Sequence, residues 1–181
     1  MKISIQTKMQ LLFYRLFYKN KYSNPLIKIG AKGTGAKKIL FLLPSLQKQA
    51  QMVSYFAKIN IEHPSRFNFI VHEKGLSYYK ELSNQDIIVY TDNDMNWFGG
   101  IKSKLIIERI GEKNFDALVD LCQCSEQSLS LLTTKFNIPI KIGFQSSIAE
   151  HLYSIIIEPR RDGFIEANYL RIESILGISN K

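Results

Sequence analysis

The stretch KNFDALVDLCQC, residues 113–124, opens on a lysine expected in solvent, runs through an apolar core and stops at two cysteines one residue apart. A metal or redox site would need partners for those thiols. The chain has no further cysteine, and its three histidines, His63, His72 and His151, complete no four-ligand zinc spacing. The single-residue gap also differs from the two-residue gap of thioredoxin-like redox turns. In a strand, Cys122 and Cys124 would point to the same face and pack as small apolar side chains. The stretch is therefore expected to be an inner strand, with the chemistry of the protein elsewhere.

Similar apolar runs recur on both sides of it. KKILFLLP, from Lys37, predicts a buried strand; Ser45 is placed to cap a helix in which Leu46, Ala50, Val53, Phe56 and Ala57 share a face. RFNFIVH predicts a second strand, GLSYYKEL a short helix and DIIVY a third strand. After the polar loop TDNDMNWFGG, a helix is expected over 103–110, then the strand FDALVDLC, a helix over about 126–136, and the strands IKIGF and YSIIIEP. A final helix follows, with Asp162 as its N-cap and Ile165, Tyr169, Ile172 and Leu176 on one side. Strands apolar on both faces that alternate with helices indicate an α/β, doubly wound, mostly parallel sheet of about six strands.

The 181 residues fit one such domain at 37–181, preceded by a basic amphipathic helix and linker at 1–36. The helical stretch TKMQLLFYRLFYKNK sets Met9, Leu12, Phe13, Leu16 and Phe17 against a stripe of Lys8, Arg15 and Lys19. It docks on its own domain, lies in an anionic lipid surface or initiates oligomers. Charge is segregated in the same direction. Eleven lysines and arginines and no acid occur through Lys58, whereas the remainder carries 13 basic and 16 acidic residues, so the net +8 originates in the first third. Such a distribution suits an anionic partner. Lys8, Arg15, Lys19 and Lys21 are its candidate contacts. No apolar run approaches the roughly 20 residues of a membrane span, and Arg15 interrupts any signal-peptide pattern.

Three motifs carry less than they promise. GAKGTGAKK has the glycines of a phosphate loop, but Ala36 stands where the lysine should follow and the segment precedes a strand, so a flexible basic linker is expected. Asp92 to Asp94 form an acid-x-acid triplet of the kind that holds divalent metals in nucleotide-sugar enzymes; with no third ligand identifiable and NWFGG suggesting a turn with a packed aromatic, no metal or cofactor is expected. The histidines are as readily surface or turn residues as parts of a triad. By location, the turn after the first strand is the better candidate, because ligands of open parallel sheets lie beyond the strands' carboxyl ends. Ser45, Gln47, Lys48 and Gln49 are its candidate ligand-binding residues, and an anion beside Lys48 would relieve the clash of a lysine with a helix N-terminus.

Phe115, Asp116, Asp120 and Leu121 in the inner strand, Ser128, Leu131 and Leu132 in the helix after it, and Ile142, Gly143 and Phe144 in the next strand keep an order that resembles the N-terminal, acceptor-side domain of glycosyltransferase family 9, the lipopolysaccharide heptosyltransferases. KKILFLLPSL looks like that family's first strand and turn, and RDGFIEANYLRIESILGI is similar to the helix closing its first domain. The resemblance spans roughly Lys37 to Ile178. It implies a Rossmann-like fold and a cytoplasmic, peripheral-membrane setting in lipopolysaccharide or surface polysaccharide synthesis. It also implies a Gly-Asp pair in the first turn, whose Asp is the general base; Gln47 and Lys48 stand about there, and a protonated lysine cannot take a proton. The family's donor-binding domain is not among these residues. The expectation is a stand-alone domain, catalytically incompetent by itself, that binds an anionic glycolipid, saccharide or membrane surface. Two alternatives stay open: a subunit of a split glycosyltransferase whose donor domain is a separate chain, and a nucleic-acid-binding protein using the basic segment.

Overall fold

Alternating side chains along each strand divide the interior into two layers, as expected of strands covered on both faces. The computed structural model describes Ile5, Lys8, Met9, Leu12 and residues 26–58, 66–82, 86–97, 99–123, 127–159 and 165–178. Six strands, β1 (Ile39–Leu43), β2 (Phe67–His72), β3 (Asp86–Tyr90), β4 (Ala117–Asp120), β5 (Ile140–Phe144) and β6 (Ile155–Ile157), form one sheet in the order β3-β2-β1-β4-β5-β6. Every pairing between them is parallel. From β1, Ile39, Phe41 and Leu43 enter one layer and Leu40 and Leu42 the other.

Helices close both layers. On the first face lie α1 (Gln47–Lys58) through Ala50 and Val53, the 3₁₀ segment Glu73–Leu82 through Tyr79 and Leu82, and α5 (Ile165–Leu176) through Tyr169, Ile172 and Leu176. The second face is closed by α2 (Lys104–Gly111) through Ile106 and Ile110, and by Leu129 and Leu132 from α3 (Gln127–Ser130) and the 3₁₀ turn after it. A third cluster joins Leu131 to Ile148, Ala149 and Leu152 around α4 (Ala149–Leu152). This is the doubly wound, Rossmann-like architecture read from the alternation of apolar runs.

Several details differ from the sequence reading. Leu46 is exposed instead of joining the buried face of α1; its carbonyl accepts the first helical bond, from Ala50 N–H at 2.8 Å, which puts it at the capping position and leaves Ser45 one residue outside. GLSYYKEL is 3₁₀, and the helix expected over 126–136 is one α turn followed by a 3₁₀ turn, Leu131–Lys135. Lys113, expected in solvent, is half-buried and its ammonium donates to Asn68 Oδ1 at 2.7 Å. The glycine-rich segment is docked: Gly30 and Gly33 exchange backbone hydrogen bonds of 3.0 and 3.1 Å, and Thr34 N–H donates to the Ile175 carbonyl at 2.7 Å. Gly177, at φ +69°, ends α5 there, and a Cβ on it would overlap the Lys32 carbonyl oxygen. Asp162 and Cys124 lie outside the described residues.

Asp116, just before β4, ties two strand starts together. Its carboxylate accepts the backbone N–H groups of Lys37 and Lys38, both at 2.9 Å, and so clasps the start of β1 to the start of β4 at the sheet's amino edge.

Candidate functional site at the carboxyl edge

The order 3-2-1-4-5-6 reverses direction between β1 and β4. Connections on the two sides leave to opposite faces there, so a crevice opens beyond the strand ends. Its walls are the turn after β1, which carries Pro44 and Ser45, and the segment after β4, which carries Cys122 and Gln123. Leu121 N–H donates to Leu42 O at 3.1 Å and keeps the two strands paired up to the edge.

Beyond β1, β2 and β3 the turns are laced together. A Cβ on Gly75 would stand 2.8 Å from Ser45 Cα, so the turns after β1 and β2 are in contact through a glycine. His72, the last residue of β2, is buried, with its ring edge-on to Tyr90 at 4.9 Å between centroids. Its Nδ1 accepts the Lys74 backbone N–H at 3.2 Å; the neutral ring then carries its proton on Nε2, which donates to Asp92 Oδ1 at 3.1 Å. Lys74 Nζ donates to Asp92 Oδ2 at 2.6 Å. The Lys74 ammonium first, and the His72 ring after it, hold the Asp92 carboxyl below its usual range. Asp94 is held low chiefly by the Thr91 backbone N–H, at 2.9 Å, with the Thr91 hydroxyl at the same distance.

Ligand atoms of His72, Glu73 and Asp92 come within 4.8 Å of one another, which invites a metal reading. The arrangement does not fit one. Lys74 already neutralises Asp92, and the His72 nitrogen facing that carboxylate is the protonated one, whereas a metal ligand must present a lone pair. The Asp92–Asp94 triplet is a 3₁₀ turn whose outer carboxylates are occupied by these internal contacts.

Across the crevice, Asp120 at the end of β4 has no exposed surface. It accepts the Cys122 N–H at 2.9 Å, the Tyr153 hydroxyl at 2.6 Å and the Ser130 hydroxyl. Burial drives its carboxyl up against these three donors, and burial with the neighbouring Asp120 drives the Tyr153 hydroxyl well up. Gly143 makes room for this: a Cβ there would fall inside the Tyr153 ring. Asp120 knots β4, α3 and the approach to β6 together, and its acceptor positions face inward.

Of the candidate residues, Ser45 is half-buried in the first turn, Gln47 and Lys48 are exposed at the start of α1, and Gln49 is 7% exposed with its Oε1 lacking a hydrogen-bond partner. They share the edge but do not converge. Lys8 is helical and exposed; Arg15, Lys19 and Lys21 lie outside the described residues. Cys122 is buried among apolar side chains, in keeping with a packing role. His72 is buried at a strand end; of the two aromatics in NWFGG, Trp97 is 89% exposed and Phe98 lies outside the described residues. The sequence reading missed the His72, Lys74 and Asp92 cluster because its parts belong to two loops 18 residues apart; the position of His72 as the last residue of an apolar run was the available signal.

These features define an open, doubly wound α/β domain whose ligand-accessible edge is built from the turns after β1, β2 and β3. The chain belongs to a family of unknown function (DUF6913), whose model matches residues 15–168. No curated protein and no solved structure matches it.

Proposed function

We propose that this is a binding domain for an anionic glycolipid or membrane surface, related to the acceptor-side half of the heptosyltransferases and working without chemistry of its own. The observation that carries this reading is the exposure of three apolar side chains at helical spacing among the described N-terminal residues. Ile5, Met9 and Leu12, at i, i+4 and i+7, are 78%, 55% and 63% exposed, with Lys8 exposed beside them. Exposed apolar side chains at helical spacing among the described residues, in a region of eleven basic residues and no acid, fit a segment lying in a negatively charged lipid interface. No helix of the described residues is long and apolar enough to cross a membrane.

The first turn, where Gln47 and Lys48 provide no base, is the feature that favours binding over chemistry in this reading. The cytoplasmic leaflet, rich in anionic lipid, is the surface this charge suits.

Flotation with vesicles tests the reading. Recovery is expected with phosphatidylcholine vesicles containing phosphatidylglycerol, declining as salt is raised, and little with phosphatidylcholine alone. Met9→Ser with Leu12→Ser should abolish recovery, and Lys8→Glu with Arg15→Glu should weaken it. Equal recovery with both vesicles, or none with either, overturns the proposal.

A further inference from the structure

The first turn of α1 holds hydrogen-bonding groups that the fold leaves unused. An α-helix gives the N–H groups of its first residues no intrahelical acceptor, and a Ser, Thr, Asp or Asn side chain at the capping position commonly takes one of them. Here the capping position is Leu46, which has no side-chain oxygen, and the first turn contains no acid. The first helical bond is that of Ala50, so the N–H groups of Gln47, Lys48 and Gln49 meet no acceptor among the described residues. The side chains of Gln47 and Lys48 are exposed, but these backbone groups stay at the helix end.

A side chain supplies a second observation at the same place. Gln49 is 7% exposed, yet its Oε1 has no donor among the described residues. Helical side chains lean toward the N-terminus, so Gln49, third in α1, covers the turn before it, where a capping-box glutamine would reach back to the N–H of the capping residue. No such bond forms. A buried acceptor left open costs stability that a donor from a ligand would restore.

The facing wall of the crevice is close. The Leu121 N–H to Leu42 O bond keeps β4 beside β1 up to the edge, so the segment after β4 stands about one strand spacing, ~4.8 Å, from the turn that enters α1. On that segment Gln123 Nε2 is buried and also unpaired among the described residues.

Hydrogen-bonding capacity, rather than net charge, chooses the ligand, because the lysines of this edge are set against Glu73, Asp92 and Asp94. Backbone N–H groups at the positive end of a 12-residue helix suit the oxygens of a phosphate, and Gln49 Oε1 requires an O–H beside it. We infer that the first turn of α1 and the facing Gln123 bind a phosphate ester that carries a neighbouring hydroxyl, of the sugar phosphate or glycerophosphate class. The phosphate oxygens accept from the Gln47, Lys48 and Gln49 N–H groups and from Gln123 Nε2, and the hydroxyl donates to Gln49 Oε1. The site goes beyond the membrane reading and does not depend on it: flotation decides that reading, and titration with soluble probes decides this one.

Isothermal titration of the whole protein is the test. Glucose 1-phosphate is expected to bind saturably, sulfate roughly fivefold more weakly, and glucose not at all at the same concentrations. Gln49→Leu should lower the affinity for glucose 1-phosphate roughly fivefold and leave that for sulfate unchanged. The same variant should melt no lower than the unsubstituted protein, because it removes an unpaired buried oxygen. A midpoint several degrees lower shows that the oxygen is already satisfied within the fold and overturns the site. Where glucose 1-phosphate does not bind but Gln49→Leu weakens flotation with phosphatidylglycerol vesicles, the site stands and a lipid headgroup is the source of its ligand. Absence of both effects, or equal affinity for sulfate and glucose 1-phosphate, overturns the inference.

Discussion

Asp120 and Asp92 each stand at or just past the end of a strand and accept hydrogen bonds, yet they have opposite electrostatic characters. Asp120 is enclosed; its partners are neutral, and burial raises its carboxyl. Asp92 is exposed, touches an ammonium and a ring N–H, and is lowered. The carboxyl edge thus treats two carboxylates differently: Asp120, at the end of β4, is sealed and holds the fold together, whereas Asp92, past β3, can meet something outside. Proximity to a strand end makes a residue a candidate, and solvent access decides whether it can act.

The largest test of that division is Asp120→Ala. It removes the buried carboxylate that accepts from the Cys122 N–H and the Tyr153 and Ser130 hydroxyls, and should cost about 3–5 kcal/mol in urea unfolding. A cost under about 1 kcal/mol would mean that water reaches those donors and that Asp120 is not sealed. Next is Gly143→Ala, which drives a methyl group into the Tyr153 ring and should cost about 1–3 kcal/mol by the same measurement. An unchanged midpoint would show the ring free to move aside.

The two carboxylates should also bend stability against pH in opposite senses. A raised carboxyl binds its proton more readily folded than unfolded, so the Asp120 contribution weakens as pH climbs from the ordinary carboxylate range through its raised folded value. A depressed carboxyl does the reverse: the Asp92 contribution is present above the ordinary range and is lost as pH falls through its lowered value. Urea titrations at stepped pH should therefore show Asp120→Asn flattening the decline on the higher-pH side and Asp92→Asn flattening the loss on the acid side. Identical profiles for the two variants would break the contrast.

The smallest effect belongs to Lys74→Ala. It removes an exposed ion pair and should leave the unfolding midpoint almost unchanged, while releasing the Asp92 carboxyl toward its ordinary range in an NMR titration. A large loss of stability would place Lys74 on the structural side of the division.

Much of the fold was legible in the chain because the apolar runs are short, dense and separated by helical periods. KILFLL, FNFIVH and DIIVY became β1, β2 and β3, and FDALVDLC became β4, as the two-sided burial of parallel strands requires. The turn after β1 was legible as a candidate for the same reason. Leu46 was misplaced: local pattern gives a residue a direction along its own element but not whether another element arrives to cover it. Asp120 stood in the heptosyltransferase-like pattern, but its sealing depends on Tyr153 and Ser130, 33 and 10 residues away.

The sequence alone determined the alternation of strands and helices, the location of the excess charge and the lack of a carboxylate in the first turn, because each is a property of neighbouring residues. Tertiary structure decided which carboxylate is sealed, which histidine is paired and which apolar tips remain in water. Those outcomes follow from the strand order, which brings residues from separate crossovers to one edge and settles, by burial and hydrogen bonding, which of them water can reach.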